Sequence, residues 1–130
     1  MHYCFMLFTK EKPTPVEIED ILAPYYEPVV YDKYQEDSAL PPLIWDWYSI
    51  GGRYSDILKG NETLKASDIK DYDNLQTYGC IDVDEEVYTP YAREHWDGEN
   101  WVEHPEYWDK LEEIKKRNKD CWVTILDLHD

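Results

Sequence analysis

Ile44-Trp45-Asp46-Trp47-Tyr48-Ser49-Ile50-Gly51-Gly52-Arg53-Tyr54 is the stretch whose reading decides the fold. Taken as a strand, it sends successive side chains to opposite faces. Ile44, Tyr48 and Ile50 then share one face, with Asp46 as the odd polar member. Trp45, Trp47 and Ser49 share the other, and Gly51 and Arg53 keep that parity if no bulge intervenes. Gly51 carries no side chain, so Arg53 is expected to lie over open backbone beside two indoles. A planar guanidinium among aromatic rings suits an anionic or planar partner. The competing reading is a packed strand and glycine turn, with Arg53 in a salt bridge.

On the N-terminal side, residues 2–9 form an apolar run that reads as a buried first strand. Thr14-Pro15-Val16-Glu17 has the form of a helix start, with Thr14 as cap and Glu17 completing a capping box. Ile18, Ile21, Leu22 and Tyr25 follow at helical spacing, and Pro24 and Pro28 limit the helix. Val29-Val30-Tyr31 reads as a short strand, and Gln35 to Pro42 as a loop leading to the central stretch.

On the C-terminal side, Ser55 to Asn74 is mixed and polar, an irregular excursion with one helical turn at Ser67-Asp68-Ile69-Lys70. Cys80, Ile81 and Val83 begin a strand, and Asp82, Asp84, Glu85 and Glu86 read as a solvated acidic run. That run lacks the glycine and terminal glutamate of a calcium loop. Tyr91 to Trp96 and Trp101 to Glu103 flank Asp97-Gly98-Glu99-Asn100 as a hairpin. A second helix is predicted over residues 105–118, opened by Pro105, with Tyr107, Trp108, Leu111 and Ile114 as its apolar stripe. Glu112–Lys116 and Glu113–Arg117 are spaced as pairs one turn apart. Cys121 to Leu128 is a last strand, apolar on both faces.

Strand, helix, aromatic strands, hairpin, helix and strand give an α+β order. The expected arrangement is a two-layer, ferredoxin-like sandwich, with two helices on one face of a mainly antiparallel sheet. First and last strands are expected to be neighbours, and residues 1–130 to form a single domain.

Twenty-nine acidic residues against 13 basic give a formal net charge of −16. That balance opposes direct binding to nucleic acid or to an anionic membrane, and favours a basic protein partner or a cation. A local arginine pocket still allows a small anionic ligand. Twelve Tyr and six Trp point to aromatic packing or a binding surface. Cys4, Cys80 and Cys121 are odd in number and far apart, without zinc-site spacing, as suits a reducing cytoplasm. The N-terminal run lacks a basic region and is too short for a signal peptide, and no stretch has transmembrane length.

No nucleophile elbow, catalytic triad or phosphate loop occurs: Gly51-Gly52 lacks both the spacing and the lysine. Antiparallel pairing of the chain ends would bring His2 and His129 together with Asp127 and Asp130, as a metal or acid–base cluster. The alternative is a pair of terminal surface histidines, and neither a metal nor a cofactor is expected. His95 and His104 flank the hairpin.

Trp45 to Tyr54 resembles the WDWYxxGGRW signature of small uncharacterised bacteriophage proteins. The likeness extends to Ala92, to Asp97-Gly98 with Trp101, and to a DCHI-like end, here Asp127-Leu128-His129-Asp130. Tyr54 stands where the signature has tryptophan, Leu128 where it has cysteine, and a tryptophan pair after the hairpin is missing. The resemblance implies a phage origin and a cluster of Trp45, Asp46, Trp47, Arg53, Asp127 and His129. Tyr54, which ends the signature, completes the expected ligand-binding set. By analogy with small phage proteins that lack an enzyme signature, the expected role is interference with host defence, in the cytoplasm of an infected bacterium. The leading expectation is a binding module, not an enzyme, for a small anionic or nucleotide-like ligand, held by Arg53 with stacking on Trp47. A pocket shared in a homo-oligomer is natural for so small a domain. The alternative is an acidic nucleic-acid mimic that inhibits a basic host defence protein, of anti-restriction or anti-CRISPR type. An enzyme using Asp127 and His129 ranks third.

Overall fold

This computed structural model describes residues 1–26, 44–60, 63–96, 101–103 and 106–129. The expected strand at 29–31, the loop at 35–42, the hairpin tip at 97–100, His104, Pro105 and Asp130 lie outside them. The elements run β1 (His2–Thr9), α1 (Pro15–Leu22), β2 (Trp47–Ile50), β3 (Thr63–Lys65), β4 (Gly79–Ile81), β5 (Val87–Tyr88), β6 (Tyr91–Trp96), β7 (Trp101–Glu103), α2 (Tyr107–Arg117) and β8 (Trp122–His129). Short 3-10 turns occupy Ala23–Tyr25, Gly52–Leu58, Ala66–Asp68 and Tyr72–Asn74.

The chain is α+β, built on a mixed six-stranded sheet. β8 pairs antiparallel with β1 along its whole length, from His2 opposite His129 to Thr9 opposite Trp122. First and last strands are therefore neighbours, as expected. The other edge of β8 carries two short strands end to end. β2 sets Trp47 opposite His129 and Ile50 opposite Leu126, and β3 sets Thr63 opposite Thr124. The chain between them buds out of the sheet at Gly51, whose N–H donates to the Ile125 carbonyl at 2.7 Å. The polar stretch expected to be irregular thus contains a strand, β3. Beyond β1 lie β4, in parallel, and β5. Phe5 faces Gly79 across that parallel pair, where an added β-carbon would sit 2.4 Å from the ring. β6 and β7 form a separate two-stranded sheet, so the expected hairpin strands do pair.

The expectation of both helices on one face is corrected by the core. Ile18 and Leu22 of α1 pack with Phe5, Leu7, Leu126 and Leu128. Tyr107, Leu111 and Ile114 of α2 pack with Met6, Phe8, Val123 and Ile125. These two sets take opposite parities on β1 and β8, so the helices cover opposite faces. The cause is visible in the strands: both are apolar on either side, and each side must be shielded from water.

Local signals hold where they are strong. Glu17 N–H donates to Thr14 Oγ1 at 3.2 Å, and Thr14 N–H donates back to Glu17 Oε1 at 3.3 Å, closing the capping box. In α2, Trp108 is 36 % exposed and leaves the stripe, whereas Lys115 is buried. Lys115 Nζ donates to the carbonyls of Leu75 (2.8 Å) and Asp73 (3.1 Å) and to Glu112 (3.2 Å). Glu112 thus pairs with Lys115, while Glu113 and Arg117 lie 3.7 Å apart as expected. The acidic run is also not wholly solvated. Asp82 is buried, accepting from Asn118, from the Val83 N–H and from Arg117.

Candidate functional site

The α2 side of the sheet holds two rungs of side chains at the C-terminal end of β8. Trp47, His129 and His2 stand across β2, β8 and β1, and Ser49, Asp127 and Cys4 form the next rung. Rungs on one face are separated by roughly 7 Å, two residues of strand rise. Parity places them as the sequence suggests for Trp47 and Ser49, with Tyr48 and Ile50 turned toward the opposite core.

Asp127 is the anchor of this end. It is 2 % exposed. Its Oδ1 lies 2.7 Å from His2 Nδ1, and its Oδ2 accepts from the Arg53 backbone N–H at 3.1 Å. The Arg53 Nε stands 3.9 Å from the same oxygen, yet the side chain is 59 % exposed. The Arg53 backbone is thus pinned by the carboxylate while its guanidinium reaches solvent.

The glycine pair permits this. Gly51 and Gly52 both take positive φ, +74° and +51°. Gly52 supplies a close approach: a β-carbon there would lie 2.6 Å from Asp127 Oδ2.

A second histidine–aspartate pair adjoins the first. His129 Nδ1 is 2.7 Å from Asp46 Oδ1, and Asp46 N–H donates to the His129 carbonyl at 2.8 Å. The His2 and His129 rings are 5.0 Å apart at 77°. Trp47, 52 % exposed, meets His2 edge-on at 5.9 Å and His129 at 6.5 Å. The Met1 amine lies 3.5 Å from His129 Nε2. Comparison with protein-family models, with curated proteins and with solved structures finds no match.

Of the expected residues, Asp46, Trp47, Arg53, Asp127 and His129 come together. Trp45 does not join them. The strand starts only at Trp47, a bend at Asp46 breaks the alternation, and Trp45 turns toward α1, donating from Nε1 to the Leu22 carbonyl at 2.8 Å. Tyr54 packs on the core beneath the cluster, its phenol pushed up by burial and then by Cys4 and Asp127. His2 completes the cluster; only the pairing of chain ends points to it in the sequence.

The Cys4 thiol is pushed up to about 12 by burial and by Asp127, and so is no nucleophile at neutral pH. Among the described residues, no group of three or more His, Cys, Asp and Glu is placed to hold a metal ion. No described helix is long and apolar enough to cross a membrane.

Proposed function

We propose that the Trp47, His129, His2 and Arg53 surface binds a small anionic, nucleotide-like ligand. The observation that carries this reading is an exposed guanidinium whose backbone is fixed by the buried Asp127, itself one rung from the rung that carries the exposed Trp47 indole. An exposed arginine gives charge-assisted hydrogen bonds to phosphate. Stacking on an indole contributes about 1–3 kcal/mol per base. The Trp47 rung and the Asp127 rung that anchors Arg53 are roughly 7 Å apart, which suits a base on Trp47 and a phosphate on the Arg53 side of Asp127. With the phage origin implied by the signature, the ligand is a nucleotide signal of host defence, and binding removes it from the host cytoplasm.

Calorimetric titration with a panel of mononucleotides and dinucleotides tests the reading. Arg53→Ala and Trp47→Ala should each abolish binding, and Arg53→Ala should leave the Tm nearly unchanged, because its backbone bond to Asp127 survives. Unfolding by Arg53→Ala would make the residue structural and remove the basis of the proposal.

Mimicry of nucleic acid ranks second. It calls for carboxylates aligned on one face, but exposed acids occur on both helices, Glu17, Glu19 and Asp20 on α1 and Asp109 and Glu113 on α2. Those helices cover opposite sides of the sheet.

A further inference from the structure

Binding an anion needs a cation and a stacking surface; it does not need a carboxylate behind each of two imidazoles. Both His2 and His129 have that backing, through Nδ1 contacts of 2.7 Å to Asp127 and Asp46. An aspartate at Nδ1 holds the ring in one tautomer and orientation and turns Nε2 outward for proton transfer; at His129 that nitrogen has the Met1 amine 3.5 Å away, a group the substrate must displace. The two environments differ. The Asp127 side chain is 3 % exposed and that of Asp46 is 28 %, while the imidazoles are 21 % and 39 % exposed. Other buried polar clusters are closed by comparison: Lys115 spends its ammonium on two carbonyls and Glu112, and Asp82 is filled by Asn118, Val83 and Arg117.

We infer that His2 and His129 form a general acid–base pair that cleaves small ribonucleotide phosphodiesters. This rests on the reading that the surface binds a nucleotide-like anion. It also goes past the expectation of binding without catalysis.

The substrate brings its own nucleophile. One neutral imidazole takes the proton of the ribose 2′-hydroxyl, whose oxygen forms a new bond to the adjacent phosphorus. The other imidazole, protonated, gives its proton to the departing 5′-oxygen as that phosphorus–oxygen bond breaks. The products are a 2′,3′-cyclic phosphate and a free 5′-hydroxyl, and proton exchange with water resets the pair. Arg53 faces the phosphate oxygens as charge develops. The substrate is small because a chain of net charge −16 repels a long polyanion.

The test incubates the full chain with the ribodinucleoside monophosphates and with their deoxy counterparts, reading products by chromatography and phosphorus NMR. Cleavage of the ribo series to cyclic phosphate, with the deoxy series intact, is the expected result. His2→Gln and His129→Gln should each lower kcat by about 10²- to 10⁴-fold, a loss well beyond the fold-change in calorimetric affinity measured on the same folded variants. Asp46→Asn, a positioning variant at the more exposed pair, should lower kcat with little change in KM. Binding without cleavage overturns the inference and leaves the binding reading standing; absence of binding overturns both. Equal cleavage of the deoxy series, or full rates in both histidine variants, also overturns it.

Discussion

Gly52→Ala is the substitution that tests how the site is built. The added β-carbon would lie 2.6 Å from Asp127 Oδ2 and 2.7 Å from Asp127 Cβ, on a backbone with φ +51°. An L-residue held in that left-handed region costs about 1–2 kcal/mol. The clash adds to it, because Asp127 belongs to a strand paired on both edges and its Cβ cannot retreat. If the carboxylate rotates away instead, it gives up His2 or the Arg53 N–H, and a hydrogen bond to a charged group is worth about 1.5–3 kcal/mol. One such bond plus the backbone term brings the loss to about 2.5–5 kcal/mol. Gly60→Ala is the control: φ is +88° and nothing lies within 4 Å, so only the backbone cost of about 1–2 kcal/mol applies. Urea unfolding followed by tryptophan fluorescence reads both. In a domain of this size each kcal/mol moves the Tm by roughly 3–5 °C, so thermal melts should separate the variants. Equal destabilisation by the two alanines would refute the claim that Asp127 is wedged under the glycine turn.

Three further outcomes follow from the buried polar groups. Burial pushes the Asp82 carboxyl up, but the Asn118 amide, the Val83 N–H and Arg117 outweigh it and hold it below the usual 3.8. A carboxylate depressed in the folded state stabilises above its unfolded value and stops doing so as pH falls through its folded value. Asp82→Asn should therefore flatten the acid limb of stability below about pH 4, measured by urea unfolding at stepped pH; an unchanged acid limb would sink this account. Lys115→Met removes a buried ammonium but orphans the carbonyls of Asp73 and Leu75, at about 1–3 kcal/mol for each buried acceptor left unmade. Relief of the ammonium's own desolvation offsets part of that, so a net loss of about 1–3 kcal/mol is expected in chemical denaturation, and a stabilised variant would contradict it. Burial raises Cys80 and Cys4 to about 12, with Asp82 adding to the first and Asp127 to the second. At pH 8 the thiolate fraction of each is then on the order of 10⁻⁴, so a thiol reagent should label neither until the protein is unfolded.

Much of this fold is written in strong local patterns. Thr14, Pro15 and Glu17 define the first helix end, and the apolar runs at 2–9 and 121–128 define the two central strands. Their adjacency was also legible, and with it the meeting of His2, His129 and Asp127. What escaped was tertiary. Both runs are apolar on alternate as well as successive residues, which calls for cover on two faces, yet the element order alone favoured one. β3 escaped because Thr63-Leu64-Lys65 carries no strand signal of its own; the unpaired end of β8 recruits it. Asp82 read as part of a solvated run because its partners, Asn118 and Arg117, lie far along the chain. At the site, strict alternation misplaces Trp45, since the chain bends at Asp46, which bonds His129 through both backbone and side chain.

A net charge of −16 and an anion site coexist for a reason that can be measured. At physiological ionic strength, charges farther than about 8 Å apart are largely screened. A small ligand at Arg53 therefore feels chiefly the groups around it. Of these, Asp46 and Asp127 are each already joined to an imidazole, and Arg53 adds its own positive charge. A long polyanion, by contrast, must cross the acidic surface of both faces, and each of its phosphates meets repulsion. Salt separates the two cases. Binding that uses one phosphate contact should weaken with a slope of roughly −0.7 to −0.9 in log affinity against log salt. Capture of a basic partner by many surface carboxylates would give a slope several times steeper. A shallow slope that vanishes in Arg53→Ala places the affinity at the guanidinium; a steep slope indifferent to Arg53 places it on the acidic surface, and the small-ligand reading then fails.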